Sequence, residues 1–86
     1  MFVHLGGEKV IRMSELIAIL DLSTEQSVTV HSEYIAHAEQ KNAVEKIGEE
    51  APKSLVITDS KLYYSPISST TLKKRVQAMN ERLLLL

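Results

Sequence analysis

The stretch Ser54-Leu55-Val56-Ile57-Thr58, then Asp59-Ser60, then Lys61-Leu62-Tyr63-Tyr64, commits this chain to a β-hairpin. β-Branched and aromatic residues suit a pleated surface, and Asp59-Ser60 turns the chain. Pro66 ends the second strand, because proline cannot donate to a ladder. With 86 residues there is room for one domain. A chain of this size buries only about 60–65% of its unfolded surface, so a lone monomer is marginal. Cysteine is absent, which excludes disulfides and thiolate metal sites.

Other strand signals surround the hairpin. Phe2–Leu5 and Lys9–Arg12 flank Gly6-Gly7-Glu8, and the glycine pair supplies the positive φ of a tight turn. Glu15–Leu22 sets Leu16, Ala18, Leu20 and Leu22 opposite Ile17 and Ile19. Apolar residues on both faces read as a central, doubly covered strand rather than a buried helical segment. Ser23-Thr24-Glu25 is a turn or cap signal. From Ser27 to about Asn42, Val28, His31, Tyr34 or Ile35 and Ala38 recur at helical spacing. Ala43–Ile47 is a candidate short strand, and Gly48–Pro52 an exposed turn. Ser69-Thr70 is the expected N-cap of a last helix, about 69–86. On its wheel Leu72, Val76, Met79, Leu83 and Leu86 span about 80°, a narrow apolar seam. The expected fold is α+β: a small antiparallel-rich sheet of about five short strands, one middle helix and one C-terminal helix, forming a single domain over 1–86.

Catalytic and metal patterns are weak. His31 and His37 are six apart, on different sides of a helix, and His4 is remote from both. Serine occurs in neither G-x-S-x-G nor S-x-x-K. Gly6-Gly7-Glu8-Lys9 joins two strands, whereas a phosphate loop opens a helix. Glu49-Glu50 lies in a turn and reads as solvated. The expectation is a non-enzymatic protein without cofactor or metal. The start at Met1-Phe2-Val3-His4 shows no charged leader before an apolar run, and no apolar run nears the roughly 20 residues of a membrane helix. The expected setting is the cytoplasm.

Charge is uneven. Residues 1–69 hold six Lys/Arg against ten Asp/Glu, and residues 70–86 hold four against one. A basic end can meet nucleic acid or the acidic surface of a neighbouring subunit. Lys73, Lys74 and Arg75 fan over about 200° of the helix, so they cannot all face one duplex; Arg75 and Arg82 share a face. Both readings stay open on pattern alone. Of the Tyr63-Tyr64 pair, one ring faces the core and the other faces out. The closing Leu83-Leu84-Leu85-Leu86 points in all directions, more apolar surface than one packed helix face can cover. Tyr63 and Leu83, Leu84, Leu85 and Leu86 are the candidate self-association residues.

PKSLVITDSKLYYSPISSTTLKKR, from Pro52 to Arg75, resembles the RemB-type branch of the Rem family of small bacterial extracellular-matrix regulators. The opening FVHLGGEKVI is similar to that family's strand–glycine–strand start, and the resemblance spans essentially the whole chain. It implies a non-enzymatic cytoplasmic regulator of biofilm matrix genes that acts as a homo-oligomer. RemA-type relatives form rings and bind DNA through arginines. Those arginines lie in a turn before the strand equivalent to Ser54–Thr58, and in the strand equivalent to Glu15–Leu22. Here the turn reads Gly48-Glu49-Glu50-Ala51-Pro52-Lys53, and Glu15 aligns with the arginine of the earlier strand. Carboxylates at those places repel phosphate, so DNA contacts fall to Lys53, Lys73, Lys74, Arg75 and Arg82, with weak binding or none. The alternative is a protein-interaction or oligomeric scaffold module without direct DNA contact.

Overall fold

The structure is a computed structural model that describes residues 1–23 and 32–85. Six strands and two α-helices follow in order: β1 (Phe2–Gly6), β2 (Lys9–Arg12), a 3-10 turn (Met13–Glu15), β3 (Leu16–Asp21), α1 (Ser32–Gln40), β4 (Val44–Lys46), β5 (Ser54–Thr58), β6 (Leu62–Ser65) and α2 (Ser69–Leu85). The α+β class with a middle and a C-terminal helix is the one the sequence implies. Among the described residues the strands number six rather than about five, and they divide between two sheets. β1 and β2 form an antiparallel hairpin, and the other four form a mixed sheet in the order β3-β5-β6-β4.

β5 is the centre of this arrangement, and all five of its residues are buried. β3 and β6 flank it antiparallel, while the short β4 runs parallel to β6. Period-2 alternation then divides its side chains between two apolar layers. Val56 joins Val3, Leu5, Ile11, Ile47, Tyr63 and Leu72 on one face, beneath the hairpin and α2. Leu55 and Ile57 join Leu62 on the other face, where Ile35 and Ala38 of α1 pack. Fully burying one such leucine or valine stabilises the fold by about 1.5–3 kcal/mol.

β3 corrects the expectation of a central strand, because it is an edge. Leu16 pairs with Thr58 and Ala18 with Ile57, so Ile17 is the extra residue of a β-bulge. The bulge shifts the alternation by one. Leu16 and Ile19 turn to one layer, Ala18, Leu20 and Leu22 to the other. Ile17 is left 63% exposed.

Short-range polar contacts set the turns. Thr58 Oγ1 donates to the Lys61 carbonyl at 2.7 Å and accepts from the Lys61 N–H at 2.9 Å, which closes the β5–β6 connection. At the end of α1, the Ala43 N–H reaches the Ala38 carbonyl at 2.9 Å and the Asn42 N–H reaches Glu39 at 3.0 Å. With Asn42 at φ 55°, this is a Schellman stop. The helix therefore ends at Gln40, two residues before the expected Asn42. Its expected start from Ser27, with Val28 and His31, lies outside the described residues, as does the Thr24-Glu25 part of the preceding cap signal. For α2 the cap is Ser68 rather than Ser69-Thr70: Ser68 Oγ accepts from the Thr71 N–H at 3.3 Å. Ser69 is already helical and is buried.

Two connections place surface features. Gly6 sits at φ 119°, and a Cβ there would come within 3.2 Å of the Pro66 ring, so the hairpin turn closes tightly over the end of β6. The Gly48–Pro52 turn joins β4 to β5, which lie on opposite sides of β6. Its ends are tied to that strand. The Ile47 N–H donates to Tyr64 at 2.9 Å and the Lys53 N–H donates to Ser65 at 2.8 Å. The turn thus straddles the end of β6, and Glu49, Glu50 and Ala51 are exposed at its tip.

Candidate functional site

The hairpin has one buried and one open face. Val3, Leu5 and Ile11 point into the core. Phe2, His4, Val10 and Arg12 are exposed, and the register sets Phe2 opposite Arg12 and His4 opposite Val10. Phe2 is 57% and Val10 47% exposed, uncommon values for large apolar side chains. α2 runs alongside, so that Arg75, Ala78 and Met79 complete a shallow hollow of about 330 Å³ with Phe2, His4 and Val10. Arg75 Nη1 donates to the His4 carbonyl at 2.8 Å, which ties the helix to β1. His4 Nε2 donates to the Gly7 carbonyl at 2.7 Å. Among the described residues no carboxylate lines this hollow; Arg75 borders it, and Arg12 lies beside its Phe2 across the strands.

The remaining basic residues lie elsewhere. Lys73 is exposed on the other flank of α2, beside Leu16, Ile17, Ile19 and Val76 of a second hollow. Lys53 lies with Asp21, Pro52, Ser68 and Thr70 around a third, at the start of α2. The Asp21 carboxyl is held below its usual range, first by hydrogen bonding from Ser23, whose N–H donates at 2.8 Å, and further by Lys73. Lys74 is exposed on the helix. Arg82, Leu83, Leu84 and Leu85 contribute backbone to α2, but the described side chains of that helix end at Met79, and Leu86 lies outside the described residues. Arg75 thus faces the hairpin, apart from Lys53 and Lys73, which both lie near the Asp21 carboxylate.

Tyr63 is 6% exposed inside the chain's own core, which leaves little of its ring for a neighbour; of the pair, Tyr64 is the more open. Above Tyr63, the Lys9 ammonium sits 5.0 Å from the ring centroid and pairs with Glu45 at 3.5 Å. Tyr63 chiefly, and Glu45 after it, raise the Lys9 pKa against the opposing effect of desolvation. This group ties the hairpin to β6 and β4.

Phe2, His4, Val10 and Arg12 were not among the site residues that the sequence suggested. The available signal was strict alternation in FVHLG and KVIR, which puts an aromatic and an arginine on the same outward face. Joining them to Arg75 required the packing of α2. Among the described residues no three His, Cys, Asp or Glu side chains gather at metal-binding distance, and no helix is long and apolar enough to cross a membrane.

Comparison with known proteins assigns the chain. Residues 2–76 match the RemA-like family, described as "Extracellular matrix regulatory protein A-like". The chain belongs to the RemA-like family. Within it, the chain is 40% identical over 81 residues to "Extracellular matrix regulatory protein B" of Bacillus subtilis (strain 168), covering 94% of this chain and 96% of that relative. The RemA-like match contains both strands of the hairpin, the Gly48–Pro52 turn and α2 as far as Val76. The likeness to the B-type protein agrees with the RemB-type branch indicated by Pro52–Arg75.

Proposed function

We propose that this RemA-like chain is a non-catalytic regulator of extracellular-matrix gene expression that acts as a homo-oligomer in the cytoplasm. The observation that carries the reading is end-to-end likeness to an extracellular matrix regulatory protein, at 40% identity over 94% of the chain. Self-association is supported by the exposed Phe2, Val10 and Ile17 on a chain too small to bury much surface alone. By sequence, Leu83–Leu86 adds four further apolar residues to the chain.

Direct DNA binding is weak and salt-sensitive, or absent. Counterion release rewards several cations facing one backbone together. Arg75 faces the hairpin hollow, and Lys53 and Lys73 lie near the Asp21 carboxylate, so one subunit engages few phosphates at a time. The same separation favours a second reading, an oligomeric interaction module with no DNA contact.

Light-scattering mass with and without duplex DNA tests both parts. An oligomer whose mass barely changes on adding DNA at physiological salt is the expected result. A monomer at tens of micromolar removes the assembly. Tight binding that survives replacement of both Lys73 and Arg75 by alanine removes the weak-DNA reading.

A further inference from the structure

We propose that the acidic turn of one copy, Glu49-Glu50-Ala51-Pro52, docks on the arginine-framed hairpin face of the next copy. The docking rests on the self-association proposed above and supplies its contact. Two surfaces of the same molecule complement each other. The hairpin face has Phe2 and Val10 exposed at its centre, with Arg12 paired to Phe2 across the strands and Arg75 on the adjoining helix. The turn carries two adjacent exposed carboxylates and then the small apolar pair Ala51-Pro52. It straddles the end of β6 with both ends pinned to that strand, so it is presented at a set place instead of hanging free. Carboxylates meeting Arg12 and Arg75 would form charge-assisted pairs, and Ala51-Pro52 would cover the hollow between them.

The apolar centre decides for protein over nucleic acid. Duplex phosphates reward cations alone, whereas Phe2 and Val10 gain only when another apolar surface excludes water from them. Since turn and face are different patches of one chain, the contact is heterologous. Each copy offers a turn to one neighbour and a face to another, which builds a ring or a filament rather than a two-fold dimer.

A pair of charge reversals tests the contact. Arg12→Glu with Arg75→Glu makes the face acidic, and Glu49→Arg with Glu50→Arg makes the turn basic. Each double variant alone should raise the dissociation constant at least tenfold and run as monomer by light scattering. Mixed in equal amounts they should assemble again, because the acidic face of one now meets the basic turn of the other, while their unaltered surfaces still match. Arg12→Glu alone, at an exposed strand position, keeps the test open if replacing Arg75 disturbs the fold, and circular dichroism reports on that. Wild-type oligomers with both double variants unchanged in mass would sink the docking while leaving assembly standing. A monomeric wild type would overturn both. Duplex DNA that protects Phe2 and Arg12 from labelling, with no change in subunit mass on charge reversal, would give the face to nucleic acid instead.

Discussion

The guanidinium of Arg75 donates to the main-chain carbonyl of His4 at 2.8 Å, across 71 residues of sequence. This bond, with Leu72 and Met79 against the same core, fixes α2 to the first strand. A hydrogen bond from a charged donor is worth about 1.5–3 kcal/mol, and the half-exposed setting of Arg75 brings that down to about 1 kcal/mol. Arg75→Ala should therefore lower the melting temperature by several degrees, while Lys74→Ala, on the exposed side of the helix, should leave it unchanged. Equal melting curves for the two variants would show that the bond contributes nothing in solution.

Ser65 offers a stronger case. Its buried hydroxyl donates to the Leu5 carbonyl and accepts from the Ile67 N–H at 3.1 Å, so one side chain joins the hairpin to the four-stranded sheet. Ser65→Ala leaves both partners without this side chain, and a buried unsatisfied group costs about 1–3 kcal/mol. Urea unfolding should show a midpoint shift of that size with an unchanged slope. Ser60→Ala, in the exposed β5–β6 turn, serves as the control.

The bulge at Ile17 makes a prediction opposite to the usual one for an isoleucine within a strand. Ile17→Lys should change stability by no more than about 0.5 kcal/mol, because the side chain is already in solvent. Leu55→Ala, on the neighbouring strand and 1% exposed, should cost about 2–5 kcal/mol. Loss of folding in Ile17→Lys would place Ile17 in the core and remove the bulge. Reduced assembly with intact folding would instead add β3 to the contact surface.

Asp21 gives a pH dependence. Its pKa in the folded chain is lowered, first by hydrogen bonding from Ser23. The unfolded chain therefore takes up the proton at higher pH than the folded one. The stabilisation is complete above the ordinary carboxylate range and is lost as pH falls through the depressed folded value. Asp21→Asn should flatten that part of an acid stability curve. A curve unchanged by the substitution would locate the acid sensitivity in other carboxylates.

Local chemistry alone determined where most elements lie. Ser54–Thr58 and Leu62–Ser65 read as strands from β-branched and aromatic residues, Gly6-Gly7 as a turn from its need for positive φ, and Pro66 as a stop from its missing donor. These are interactions among residues within a few positions of each other, so a linear pattern records them. The α+β class and the family likeness were readable for the same reason. Even locally, Ser68 and Ser69 are equally good caps by residue type, and only the hydrogen bond to Thr71 separates them.

Tertiary structure decided what distant residues do together. Glu15–Leu22 has apolar residues on both faces, a pattern that a central strand and a bulged edge strand share; only pairing with Thr58 and Ile57 shows that Ile17 is the extra residue. Helical spacing already fans Lys73 and Arg75 apart, but it does not say what each one meets. The packing of α2 sends one to the β3 flank and the other to the hairpin, where Arg75 joins Phe2 and Val10. Alternation put Arg12 on the outward face of its strand, but only the hairpin register set it beside Phe2. A side chain's neighbours across 60 or 70 residues depend on how sheets and helices pack, and no local pattern in a single sequence carries that information.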